Sequence, residues 1–346
     1  MNIKDLLREN VRKLKPYSSA RDKYKGEAGI FLDANENPYH TEYNRYPDPY
    51  QWQLKERISE LKDVPVPNIF LGNGSDEAID LLVRAFCEPY RDNIIVLDPS
   101  YGMYKVAADT QGVDVRRVLL KEDFSLDAKA VLKEKSKHTK LIFLCSPNNP
   151  TGNNLEEKGV KKILSKFKGL VIVDEAYIDF CPDKTKVSWL KEYKNLVILQ
   201  TFSKAWGLAG IRLGMAFAHE KVIKVLNKIK MPYNINALTQ EFALKVLADT
   251  EKKDQLVEEI LATRMAMVSS LKRSPCIKEI YPSEANFILV KTTNANAIYQ
   301  YLVDQEIVVR NRSNVALCDN CLRLTVGTPE ENTSLLQALE SYGMRE

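Results

Sequence analysis

From about residue 68 the chain alternates short apolar, β-branched runs with longer stretches in which apolar residues recur every three or four positions. That is the pattern of a parallel α/β sheet. Asn93–Leu97, Leu141–Cys145, Leu170–Val173, Leu196–Gln200 and Met215–Ala218 read as strands; Ser75–Cys87, Tyr101–Gln111 and Leu155–Lys166 read as helices with one apolar face. The segment from about 250 to 273 is a long amphipathic helix closed by a proline, and the elements beyond it are shorter. The pattern predicts a large domain over residues 46–250, a small C-terminal domain over 251–346, and an N-terminal arm with part of the small domain over 1–45. Two irregular stretches rich in Asn, Pro and Tyr, NENPYH and YNRYPDPY, suit an arm lying on another surface.

With 346 residues, 45% hydrophobic and 28% charged, the chain has ordinary globular composition and room for more than one core. Its 50 basic and 46 acidic residues are scattered, which gives nucleic-acid binding no support. The first residues, MNIKDLLRENVRKLKPY, mix charged and apolar positions at helical spacing and lack the apolar core of a signal peptide. No run approaches the ~20 apolar residues of a membrane span, so a cytoplasmic protein is expected. Among the six cysteines only Cys318 and Cys321 form a CxxC, without the further ligands that a structural zinc requires; no metal is expected.

The stretch Thr201-Phe-Ser-Lys-Ala-Trp-Gly-Leu-Ala-Gly-Ile-Arg212-Leu-Gly214 follows a buried strand and crowds small residues around one lysine. Small residues let a large group approach the backbone, and hydroxyls with an arginine suit a phosphate beside an amine that must be neutral part of the time. Its bland alternative is a strand-to-helix turn with a surface lysine. Gly72-Asn-Gly-Ser-Asp-Glu77 opens a helix, where free N–H groups favour an anion. Glu77 stands where a dinucleotide turn needs its third glycine, and an ordinary Ser cap would use the same donors. Val171-Ile-Val-Asp-Glu-Ala-Tyr177 is an apolar strand ending in an acid; a Walker B reading would need a phosphate loop that the sequence does not contain. Cys321-Leu-Arg-Leu-Thr-Val-Gly-Thr328 places Arg323 in an apolar setting that calls for an anionic partner, in a ligand or in a structural ion pair. Arg310, a short hairpin-like stretch earlier, brings a second guanidinium near it, and a second cation invites a phosphate.

The lysine stretch resembles the signature of fold-type-I aminotransferases that use pyridoxal 5′-phosphate (PLP), and its partners occur in that family's order. Asp98-Pro-Ser-Tyr101 and Ser146-Pro-Asn-Asn-Pro-Thr-Gly152 complete the set. The resemblance implies a large domain with a mostly parallel seven-stranded sheet covered by helices, plus a smaller α+β domain. It also implies that Lys204 bears PLP and acts as acid and base, Asp174 faces the pyridine nitrogen, and Tyr177 with Asn149 meets the phenolic oxygen. Tyr101 would stack on the ring, and Gly74, Ser75, Asp76, Thr201, Ser203 and Arg212 would hold the phosphate.

Pro16-Tyr17-Ser-Ser-Ala-Arg21, LDANENPY, Asn44-Arg-Tyr-Pro-Asp48 and Ile307-Val-Val-Arg310 are similar to the histidinol-phosphate aminotransferase branch, over nearly the whole chain. That resemblance implies transamination between histidinol phosphate and 2-oxoglutarate in histidine biosynthesis. Arg323 would then take an α-carboxylate with Asn35 above it, and Tyr17, Tyr233 and Arg310 would take the substrate's phosphate. Tyr46 would reach the cofactor of the other subunit of a homodimer. A threonine-phosphate decarboxylase and a broad aromatic aminotransferase are the alternatives within the fold.

Overall fold

A computed structural model of the protein describes residues 3–17 and 30–344. Uninterrupted apolar runs such as Leu-Ile-Phe-Leu-Cys and Leu-Val-Ile-Val become strands covered on both faces, because only such strands can bury every side chain. They form β1 (Ile69–Asn73), β2 (Asn93–Asp98), β3 (Asp114–Leu119), β4 (Thr139–Cys145), β5 (Leu170–Asp174), β6 (Leu196–Thr201) and β7 (Leu213–Ala218), in the spatial order β1-β7-β6-β5-β4-β2-β3. Only β7 runs against its neighbours, β1 and β6; β6, β5, β4, β2 and β3 are parallel. Alternate residues supply two cores: Ile142, Leu144, Val171 and Val173 enter one, and Leu141, Phe143, Leu170 and Ile172 the other.

The five strands expected from the sequence are present, and β1 and β3 are additional. β3 is an edge strand, Asp-Val-Arg-Arg-Val-Leu, with only Val118 buried, so it lacks the apolar run that marks its neighbours. β1 is short and merges into the Gly-Asn-Gly turn that follows it. The helices Gly74–Phe86, Met103–Thr110 and Glu157–Lys166 lie within a residue or two of their expected spans.

The second sheet is antiparallel, with β8 (Ile277–Ile280), β9 (Phe287–Thr292), β10 (Arg310–Asn311) and β11 (Cys321–Thr325) in the order β10-β11-β9-β8. Its core takes Met267 and Leu271 from the helix Glu251–Leu271, Ile298 and Leu302 from Ala295–Asp304, and Leu335 and Leu339 from Pro329–Gly343. That last helix starts with a capping box in which Thr328 and Glu331 satisfy each other's backbone N–H. Near the N-terminus, Ile3 and Val11 are buried in the second of the large sheet's cores. Ser18–Arg21 of the expected arm lie outside the described residues. Among the described residues no helix is long and apolar enough to cross a membrane.

Candidate active site

Parallel strands open a crevice at their carboxyl ends, and β4, β5 and β6 end there with Cys145, Asp174 and Thr201. A cavity of about 620 Å³ lies at this edge, lined from the first sheet by Gly74, Ser75, Asp76, Tyr101, Asn149, Asp174, Tyr177, Thr201, Ser203, Lys204 and Arg212 and from the second by Arg310, Arg312 and Arg323. Residues up to 249 positions apart thus meet at one site.

One side of the cavity is an anion cradle. The helix Gly74–Phe86 has Asn73 as its N-cap, and Asn73 makes no side-chain capping bond, so the first turn keeps N–H groups without helical partners. Ser75 is therefore a first-turn residue rather than the cap. Gly74 adopts φ +69, and a Cβ on it would stand 2.8 Å from Arg212 Nη2, which makes glycine the residue that lets the guanidinium reach the helix start. A Cβ on Gly214 would collide with the backbone of Gly74 and Ser75, so β7 presses directly on the same turn. Thr201 lies opposite Gly214 across the β6–β7 ladder, and its hydroxyl donates to Ser203 Oγ at 3.0 Å and accepts from Ser203 N at 3.1 Å. Two hydroxyls, a helix start and one arginine line the same cavity, the donor set of a phosphate site. Arg212 Nη2 also faces Asp76 at 3.5 Å.

At the floor Asp174 is 2% exposed. Its Oδ2 accepts from the Tyr104 hydroxyl at 2.6 Å and its Oδ1 from Ala176 N at 3.1 Å. Burial pushes its carboxyl up to about 6, while the Tyr104 and Ala176 bonds pull the other way. Tyr104 is itself wedged against Phe143, ring to ring at 4.7 Å. A buried, hydrogen-bonded acid that has no ion pair among the described residues suits a protonated ring nitrogen placed against it.

Lys204 stands in the turn after β6, closed by the bond from Gly207 N to Lys204 O at 3.0 Å, with Gly207 at φ +66. Its ammonium lies 5.6 Å from the centre of the Tyr177 ring. Burial, and next the charge of Arg323, lower its pKa, which favours the neutral amine needed to attack a carbonyl carbon. A relay runs across the roof: Arg323 Nη1 donates to Asn149 Oδ1 at 2.6 Å, and Asn149 Nδ2 donates to the Tyr177 hydroxyl at 3.3 Å. Tyr101 donates to Asp76 at 3.1 Å and meets Tyr104 edge-on.

Four of the expected site residues are elsewhere in the single chain. Asn35 and Tyr46 line a separate cavity of about 390 Å³, and the Tyr46 ring stacks on Tyr233 at 4.4 Å. Tyr17 is 72% exposed and lines neither cavity. Two functional candidates escaped the sequence reading: Tyr104, in the first turn of the helix Met103–Thr110 that follows Tyr101, and Arg312, two residues after Arg310 and so on the same side of an extended chain. Cys318 and Cys321 are fully buried free thiols, and among the described residues no group of His, Cys, Asp or Glu could hold a metal.

Tyr104→Phe removes the short bond to Asp174 and should let its carboxyl rise further. A hydrogen bond to a charged group is worth ~1.5–3 kcal/mol, so kcat is expected to fall about tenfold near neutrality. The acid limb of the pH–rate profile should also move to higher pH, a displacement that mere loosening of the core would not produce.

The family description aminotransferase class I and II matches residues 31–339. The chain is 56% identical over 340 residues to a histidinol-phosphate aminotransferase of Parabacteroides distasonis, covering 98% of this chain and 99% of that one. Among solved structures it is similar to the histidinol-phosphate aminotransferase of Clostridium acetobutylicum (TM-score 0.82, 26% identity, 88% of this chain and 92% of the other). It also shares the fold of the Sinorhizobium meliloti histidinol-phosphate aminotransferase solved with pyridoxal-5′-phosphate (TM-score 0.80, 23% identity, 87% and 83% covered).

Proposed function

The chain belongs to the class I and II aminotransferases and, within them, to the histidinol-phosphate aminotransferases, and from that premise we propose that the cavity transfers the amino group of histidinol phosphate to 2-oxoglutarate by way of PLP. The observation that carries this is the meeting, in one cavity, of a partly desolvated lysine, a buried carboxylate with no ion pair among the described residues and a cluster of phosphate-type donors on the first sheet, faced by three arginines from the second. PLP, when bound, supplies an electron sink. The chain's residues fit it: Gly74, Ser75, Asp76, Thr201, Ser203 and Arg212 would hold its phosphate, Asp174 would keep its ring nitrogen protonated, Tyr101 would stack on the ring, and Asn149 and Tyr177 would meet its phenolic oxygen.

Lys204 would carry the cofactor until the substrate's amine takes its place, and its freed Nζ would then take the proton from the substrate's Cα, general acid–base work that contributes ~10²–10⁴ in rate. Desolvation keeps this amine able to accept that proton. Arg323 holds the α-carboxylate of glutamate, and Arg310 the phosphate of histidinol phosphate, so one cavity serves both substrates in turn. Tyr46 reaches the cofactor phosphate of the other subunit of a homodimer, while Tyr17 and Tyr233 join Arg310 at the substrate's phosphate and Asn35 comes over the α-carboxylate. The working unit is cytoplasmic, with residues 46–250 as the cofactor domain, 251–346 as the small domain and 1–45 as an arm with part of the small domain.

Single-turnover kinetics with histidinol phosphate, phenylalanine, glutamate and threonine phosphate, each following the cofactor's spectrum, test the substrate assignment. Histidinol phosphate should give the highest kcat/KM. Carbon dioxide released from threonine phosphate would instead identify a decarboxylase. Losing a charge-assisted contact costs ~1.5–3 kcal/mol, so Arg310→Ala should lower kcat/KM for histidinol phosphate roughly ten- to hundredfold and affect phenylalanine far less. Equal losses would make Arg310 a support of the fold.

A further inference from the structure

β10 and β11 are antiparallel neighbours, and their register puts Arg310 directly opposite Arg323. Like charges in that position repel. The ladder continues one residue further, through Arg312 N to Cys321 O at 2.9 Å, and Arg312 lines the same cavity as the other two. None of the three arginines has an ion pair among the described residues. The Nε atoms of Arg312 and Arg323 are buried without a hydrogen-bond partner among the described residues. Three adjacent guanidiniums, two of them with a buried unpartnered Nε, mark a place built for an anion richer in charge and oxygens than a carboxylate.

We propose that Arg312 is a specificity-determining residue that joins Arg310 in binding the phosphate monoester of the amino donor, setting the preference for a phosphorylated over an unphosphorylated amine. A carboxylate has one charge and two oxygens, which Arg323 alone can satisfy as a fork. A phosphate monoester near neutral pH carries between one and two charges and three terminal oxygens, enough for two further guanidiniums. Burial, then the charges of Arg323 and Arg310, push Arg312 down to about 10, while Cys318 and Tyr177 pull the other way. The inference rests on the reading of this cavity as the place where a phosphorylated amine binds.

The test uses the holoenzyme, so that the cofactor's own phosphate cradle is filled. Single-turnover kcat/KM is measured for histidinol phosphate, for histidinol, which lacks only the phosphate, and for glutamate, in the wild type and in Arg312→Gln. The variant is expected to lower the ratio of histidinol phosphate to histidinol about tenfold or more, with a smaller loss for glutamate. Inorganic phosphate, as a competitor, should bind the variant about tenfold more weakly. Without phosphate the variant should melt no lower than the wild type, since a repelling charge has gone. An unchanged ratio in a variant of a discriminating wild type, or equal losses for histidinol phosphate, histidinol and glutamate, would overturn the role of Arg312. A wild type that does not discriminate between histidinol phosphate and histidinol would overturn the substrate reading itself. If Arg312→Gln fails to fold, Arg312→Lys serves: it keeps the charge and loses the fork, and its ratio should fall between the two.

Discussion

Lys204→Ala is expected to retain PLP through its phosphate contacts and to lose turnover by at least ~10³-fold, the range of a missing acid–base group, with the loss of the covalent tether added to it. The reason is positional. Lys204 is held by the tight turn after β6, beneath Tyr177 and across from Asp174, and no other lysine lines the cavity among the described residues. The phosphate cradle draws on Ser75, Asp76, Thr201, Ser203 and Arg212, none of which needs the Lys204 side chain for its place. Cofactor content by absorbance and rate by coupled assay separate the two outcomes. A variant with wild-type activity would refute the assignment.

Asp174→Asn should fold normally, keep its shape and lose roughly 10²- to 10⁴-fold in kcat, since removing one partner of a buried ion pair costs ~3–5 kcal/mol. A second signature comes from the cofactor-free protein. There the Asp174 carboxyl is raised by burial from 3.8 to about 6. An acid raised on folding contributes stability that is fully present below its unfolded value and lost as pH rises through its folded value; here that is a loss on the order of 3 kcal/mol between about pH 4 and 6. Unfolding of the cofactor-free wild type should therefore become easier over that window, and the Asn variant should lack that dependence. Bound PLP supplies the missing cation and should flatten the wild-type curve. Equal kcat in the two proteins would leave Asp174 as a strand end and nothing more.

The sheet and the cofactor-side residues were legible because their signals are local. An apolar run ending in an acid, a glycine-rich helix start and a lysine among small residues each declare strand, turn and chemistry within a dozen positions. Tyr104 was not legible: a tyrosine on the inward side of an amphipathic helix reads as core, and its bond to Asp174 spans 70 positions. The link from Arg323 to Asn149 spans 174 positions and joins two sheets, so no periodicity encodes it. Arg312 sits in a polar hairpin where a charged residue ordinarily faces solvent. β3 escaped because an edge strand needs only one covered face. Tyr17, Asn35, Tyr46 and Tyr233 were expected from family resemblance alone, and contacts within one chain leave them away from the cavity.

Lys204 is proposed as the residue to which the cofactor is joined. Reducing the holoenzyme with borohydride fixes the cofactor wherever it is covalently held, and peptide mass spectrometry then reads the position. One pyridoxyl-phosphate adduct per chain is expected, on the peptide containing Thr201-Phe-Ser-Lys204, abolished in Lys204→Ala. An adduct on any other lysine, or none on a yellow, active enzyme, would contradict it.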